Sequence, residues 1–277
     1  MTSDPTTPPD DGPGTPPGGE TAVTSGGTTV RHDEEVMGTV VSFEVHPGNR
    51  SGRRVRAAVR QACRVLHEAD RVFSTWVDTS PVNRFRRGEL ALEAAPVELG
   101  EVIDLCEAAR DLSGGWFDPW AMPGGFDPTG LVKGWAVQRA CDVLAGSGVA
   151  GALVNGGGDI ATWGHPEPGG PWRVGIRHPW HPDGLACSIA VDGAVATSGT
   201  YERGRHLIDP TTGRAGCRAA SATVTGPSLA VADALATALA VGGDAAFDLI
   251  EDVEGYDAYL IGTGGRERMS PAITVLS

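Results

Sequence analysis

Hydrophobic positions recur along this chain in stretches that change period, and the changes of period mark its elements. Residues 36–45 (VMGTVVSFEV) are rich in β-branched side chains and read as a strand. In residues 53–73 the apolar positions Val55, Val59, Ala62, Leu66 and Ala69 follow helical spacing. Residues 99–112 read as a second helix, ended by Ser113-Gly114-Gly115, and 131–144 as a third, ended by the glycines near Gly146 and Gly148. Short apolar runs at 152–154, 172–176, 188–191 and 194–196 look like strands. A strong helix covers 228–241 and a short one 247–250; 256–261 and 273–276 read as closing strands. Helices and strands mix without regular βαβ alternation, so the expected class is one α+β domain.

Upstream of this pattern, residues 1–29 carry Pro, Gly, Thr, Ser and Asp and almost no large apolar side chains. Such a segment buries too little surface to offset its ordering entropy, and we expect a disordered tail followed by a domain over 30–277. The chain's 40% apolar content suffices for a sizeable core. The net charge of -13 argues against a nucleic-acid binder, whose surface must be basic, but leaves room for a nucleotide held at one local positive site. Part of the acidity lies outside the core: residues 1–35 hold seven acidic residues against Arg31 alone. The five cysteines are scattered, with no CxxC and no Cys/His cluster along the chain. That points away from a disulfide framework or zinc site and toward reduced cytosolic thiols, with Cys106 and Cys141 as small core residues. No signal-like start and no run of about 18 apolar residues is seen, so membrane insertion is not expected and the cytoplasm is.

Five groups of residues carry possible chemistry. In LAVADALATALAV (229–241) the polar exceptions are Asp233 and Thr237, four apart and on one helical face. Their oxygens suit a hard cation such as magnesium; a solvent-facing polar stripe is the plainer alternative. In FDPTGLVKG (126–134), Asp127 or Thr129 caps a helix whose first turn holds Lys133, a plausible phosphate cradle or simply a capped helix with a surface lysine. NGGGDI (155–160) follows an apolar strand and permits close backbone approach, or is a tight loop with Asp159 as a turn residue. In ATSGTYERGRHLIDPTTG (196–213), Tyr201 offers a stacking surface, and His206 with Asp209 a base and its orienting partner. Met37-Gly38-Thr39 and Phe73-Ser74-Thr75-Trp76 offer flat-ring contacts, or are core.

The order of these motifs is more specific than any one of them. MGT, FSTW, GGWFDP, DPTGLVKGWAV, VNGGGDI, WRVGIRHP, ATSGTYERG with HLIDPTTG, and ADALATAL together resemble the ApbE family, over about residues 36–243. The resemblance implies a T-fold-like α+β domain that binds FAD and magnesium and transfers FMN to a threonine or serine hydroxyl of a target flavoprotein. It implies magnesium ligands at Asp233, Thr237 and the Gly130 carbonyl, and Lys133 on the FAD phosphates. His206 resembles the family's catalytic base, with Asp209 in the same ligand-contacting loop. Met37 and Trp76 match positions facing the flavin ring; Asp159, Ser198 and Gly199 match residues lining the FAD site. The chain departs from the family in its short 120–126 connection, in Pro128-Thr129-Gly130 before KG, in Trp76 where tyrosine is frequent, and in lacking a lipoprotein signal. A magnesium-dependent FAD pyrophosphatase, a non-catalytic FAD-binding protein and a flavin redox enzyme are the alternatives. We expect a monomer or homodimer, with no nucleic-acid partner.

Overall fold

In the computed structural model, residues 29–166, 169–199 and 207–276 are described. A hairpin opens the domain, β1 (Val30–Val36) and β2 (Thr39–His46). Four helices follow: α1 (Gly52–Phe73), α2 (Pro81–Arg86), α3 (Val97–Leu112) and α4 (Thr129–Gly146). Then come β3 (Gly151–Gly156), β4 (Asp159–Gly164), β5 (Trp172–Arg177), β6 (Leu185–Val191), β7 (Ala194–Gly199), β8 (Ile208–Asp209), β9 (Arg214–Ala215) and β10 (Ala219–Gly226). Helices α5 (Leu229–Gly242) and α6 (Asp244–Glu251) precede β11 (Asp257–Gly262), β12 (Glu267–Met269) and β13 (Val275–Leu276).

The main sheet has eight antiparallel strands in the order β1-β2-β3-β4-β7-β10-β11-β12. Its two faces feed two cores, and the period-2 alternation of strand side chains assigns each residue to one of them. Ala194 and Ala196 of β7, with Ala258 and Leu260 of β11, face the helices. Val195, Tyr259 and Ile261 face the other way, against Trp172, Ile176 and Ile189 of the small sheet β13-β6-β5. These strands are buried on both faces, which is why they appear as continuous apolar runs. Helix α5 is central: thirteen of its residues are buried, matching a helix that is apolar all round.

The expected α+β class is observed, and the expected helices over 53–73, 99–112, 131–144 and 228–241 lie within α1, α3, α4 and α5 to within two residues. Two strand expectations need correction. The strand expected over 36–45 is interrupted: β1 ends at Val36, and Met37 and Gly38 form a two-residue turn with φ of 54° and 68°. Positive φ at both central positions is the tight hairpin geometry that matches strand twist. The closing strand expected over 273–276 is only β13. The segment β10 and the short helix α2 escaped the pattern, because AASATVTG has small residues and PVNRFR is a single turn and a half. Cys106 and Cys141 are fully buried, as expected of small core residues.

Candidate active site

The site grows from the crossing of α4 and α5. Asp127 Oδ1 accepts from the Thr129 amide at 3.1 Å, across Pro128, the N-cap of α4, which itself has no side-chain cap bond. Five residues on, Gly134 lets α5 come close: a Cβ there would lie 2.5 Å from the Leu229 carbonyl oxygen and 2.9 Å from Asp233 Cβ. Through this gap the Gly134 amide donates to Asp233 Oδ2 at 3.0 Å. In a regular helix that amide serves the carbonyl of Gly130. Gly130 itself lies against Thr237, whose Oγ1 would be 3.3 Å from a Cβ on that glycine. Thr237 Oγ1 is 3.5 Å from Ser198 Oγ at the end of β7. The solvent-facing stripe that the α5 sequence also allowed is ruled out, since Asp233 and Thr237 are both buried.

A second carboxylate enters from the main sheet. The two central glycines of the β3–β4 turn, Gly157 and Gly158, have positive φ, and the turn delivers Asp159 as the first residue of β4. The turn is fixed by Asn155, whose Oδ1 accepts from the Gly158 amide at 2.8 Å. Asp159 has no exposed surface. Its Oδ2 forms an ion pair with Lys133 Nζ, and its Oδ1 has no hydrogen-bond partner among the described residues. Burial, and then the charge of Asp159, push the Asp233 carboxyl well above the ordinary carboxylate range; Lys133 and the Gly134 amide pull the other way without reversing it. Two buried carboxyls therefore share one lysine, which balances only one of them in ionised form.

Lys133 also lines the adjoining cleft, about 270 Å³, together with Met37, Gly38, Phe73, Trp76 and Thr129. Met37 and Trp76, remote in sequence, thus line the same cleft. Trp76 is 94% exposed, a large apolar surface presented to solvent rather than to the core. Its loop is held from below by Asn83, buried in α2, whose side-chain amide donates to the carbonyls of Thr75 and Val77 at 3.0 Å each. Sequence reasoning passed over Asn83; a lone asparagine carries no signal until its partners are known. Glycines 157 and 158, with Asn155, Arg177 and Thr197, line a second cleft of about 460 Å³.

Asp209 stands at the end of β8. Its Oδ1 accepts from the Thr211 hydroxyl at 2.6 Å and the Thr211 amide at 2.9 Å. The Thr211 hydroxyl, then its amide and the charge of Arg218, hold this carboxyl below the usual range against the opposing effect of burial. Tyr201 and His206 lie outside the described residues. Gly199 is the last residue of β7, paired with Ser221, and Ser198 precedes it beside Thr237. The structure therefore brings Gly130, Lys133, Asp159, Ser198, Asp233 and Thr237 together, with Met37 and Trp76 on the neighbouring wall.

The model of the family described as ApbE matches residues 37–124 and 123–260. The chain belongs to the ApbE family. A protein of Vibrio cholerae named FAD:protein FMN transferase is 38% identical over 129 residues, covering 43% of this chain and 39% of that protein. One of Chlamydia pneumoniae with the same name is 24% identical over 250 residues, covering 68% of this chain and 77% of the other. The matched stretches thus span well under half of the Vibrio relative and most of the Chlamydia one. Among solved structures, the flavin transferase ApbE of Vibrio cholerae superposes with a TM-score of 0.76 at 24% identity, covering 88% of this chain and 97% of that one. The flavinyl transferase ApbE of Pseudomonas stutzeri, in its apo form, gives 0.76 at 22% identity, with 88% and 95% covered. At these identities the structures establish the ApbE fold. Among the described residues no helix is long and apolar enough to cross a membrane.

Proposed function

We propose that this ApbE-family chain transfers FMN from FAD to a threonine or serine hydroxyl of a target flavoprotein, releasing AMP, with magnesium at the α4–α5 crossing. The observation that carries this reading is the pair of buried carboxyls, Asp159 and Asp233, with a single lysine between them and an unpartnered oxygen on Asp159. Such a pair is costly unless a cation joins it. The donor set fits a hard divalent ion: the Asp233 carboxylate, the Thr237 hydroxyl and the Gly130 carbonyl, with Asp159 as an outer carboxylate. Gly130 packs against Thr237, which brings its backbone beside the proposed ligands. When bound, magnesium supplies neutralising charge to a diphosphate.

The chain's own residues do the rest. Met37 and Trp76 receive the flavin ring, and Lys133, the fifth residue of α4, faces the diphosphate. Ser198, next to Gly199 at the end of β7, stands beside Thr237. The acceptor hydroxyl attacks the FMN phosphorus, forming a P–O ester as the bridging P–O bond to AMP breaks. His206 accepts the hydroxyl proton, an effect of about 100- to 10,000-fold. Asp209, through Thr211, fixes the turn that follows β8. Catalysis of this kind rests mainly on positioning and charge neutralisation. Five unpaired cysteines fit a reducing compartment, and we place the enzyme in the cytoplasm.

The test is mass spectrometry of a candidate flavoprotein incubated with the chain, FAD and magnesium. A mass gain of one FMN on a hydroxyl residue is expected. Rapid AMP release without any acceptor, and no mass gain with one, would replace this reading with FAD hydrolysis.

A further inference from the structure

The inward face of β1 is not uniformly apolar. Val30 and Val36 point into the core, and strand alternation places His32 and Glu34 between them on the same face. Opposite them lies α1, where Cys63 and His67 are four residues apart and share a helical face. A strand pair His-x-Glu and a helix pair Cys-x-x-x-His therefore meet across the β1–α1 interface. Ligand atoms of His32, Glu34 and Cys63 all lie within 4.8 Å of one another. His32 Nε2 is 2.9 Å from Glu34 Oε2, and His67 Nε2 is 2.6 Å from Glu34 Oε1. Cys63 is 6% exposed, and the His32 and Glu34 side chains are 18% and 25% exposed, so an ion can reach the cluster yet would be largely shielded there. The scattered cysteines and histidines gave no such cluster along the chain; the hairpin and α1 assemble it in space.

We propose that His32, Glu34 and Cys63 form a second metal site, for zinc or another borderline divalent transition ion, separate from the diphosphate site. One sulfur, one imidazole nitrogen and one carboxylate oxygen suit such an ion and do not suit magnesium. Solvent takes the fourth position. His67 hydrogen-bonds the other oxygen of Glu34 and orients the carboxylate, the usual outer-shell arrangement of a ligating group. Binding breaks the Cys63 S–H bond, forms a metal–sulfur bond and releases the proton to solvent. Cys63 lies six residues before Ala69, the first α1 residue on the cleft wall, about 9 Å along the helix at 1.5 Å per residue. The site ties the edge strand of the main sheet to the helix that ends at that wall.

The experiment is titration of the full chain with cobalt(II) in excess magnesium. We expect one equivalent to bind with a near-ultraviolet sulfur-to-cobalt charge-transfer band, which zinc then abolishes by displacement. Cys63→Ser should remove the band, Asp233→Asn should keep it, and His32→Gln or His67→Gln should weaken binding by about tenfold or more. Because sulfur is bound only if this band appears, its absence from the wild-type protein overturns the proposal. So does a band that persists in Cys63→Ser, which would place the metal on another cysteine. Should Cys63→Ser fail to fold, His32→Gln decides: unchanged affinity in that variant overturns the site.

Discussion

Two aspartates that expose little surface, Asp209 at 8% and the more deeply enclosed Asp233 at 4%, are treated by the fold in opposite ways. Asp209 sits in a turn whose own Thr211 gives it a hydroxyl and an amide, and its carboxyl is held below the usual range. Asp233 receives one amide, from another helix, and faces a second buried carboxyl, so its own is pushed up. The first is a carboxylate satisfied by its neighbours in a turn. The second is the one the proposed function assigns to a cation. Low exposure alone does not separate the two; depth and the balance of donors and charges around each do.

The largest test of this difference is Asp233→Asn. Transfer should fall by about 100- to 1,000-fold, the scale expected when one charge-stabilising group is removed. Stability should move the other way. In chelator, the variant should melt at or above the wild type, since a carboxyl in conflict with Asp159 is replaced by a neutral isostere. Magnesium at 100 times its Kd should stabilise the wild type by about 2.7 kcal/mol. For a chain of this size that is a rise in Tm of about 5–10 °C. Differential scanning calorimetry should find no such rise in Asp233→Asn. An equal magnesium shift in both proteins would remove the metal from α5.

Next in size is Gly134→Ala. Helix propensity alone favours alanine by about 1 kcal/mol. Here the added methyl would meet the Leu229 carbonyl oxygen at 2.5 Å, which is backbone and cannot turn aside. We expect the overlap to win, with a net loss of about 2 kcal/mol by denaturant unfolding, and weaker magnesium binding as α5 is pushed away. A neutral result would mean that the two helices slide freely, and that their crossing does not set the ligand geometry.

Why these contrasts were only half legible in the sequence follows from range. Residues four apart on α5 announce themselves, because helical spacing is local: Asp233 and Thr237 stood out in an otherwise apolar run. Their burial did not, since an apolar helix with two polar residues reads equally well as a surface stripe. From its local sequence Asp159 was a turn residue after glycines, and the resemblance placed it at the FAD site; its meeting with Asp233 depends on how β4 lies against α4. The break at Met37-Gly38 was hidden because β-branched residues flank it on both sides, and only backbone twist chooses a tight turn there. The family resemblance supplied the long-range pairings that periodicity could not. Neither source signalled Asn83, whose three carbonyl partners come from a loop of irregular backbone.

That loop gives the third test. If the buried centre performs the chemistry and the exposed wall only holds the ring, Trp76→Ala should raise KM for FAD about two- to tenfold with kcat nearly unchanged. Asn83→Ala should reproduce the KM effect without touching the ring, because the carbonyls of Thr75 and Val77 lose their donor and the loop shifts. A fall in kcat as large as that of Asp233→Asn would erase the distinction between wall and centre.

The smallest effect belongs to the satisfied aspartate, and its pH dependence has a definite sign. A carboxyl held below its unfolded value contributes stability above that value, near pH 3.9. The contribution is lost as pH falls through the folded value. Thr211→Val removes the hydroxyl donor while keeping the amide and the shape of the side chain. At neutral pH the variant should be less stable by about 1 kcal/mol, the net worth of one such hydrogen bond. As the pH is lowered below about 4, the two unfolding curves should converge, because a protonated Asp209 no longer needs a second donor. A gap that stays constant down to strong acid would mean that Thr211 stabilises the turn by packing. Asp209 would then be held by its amide alone.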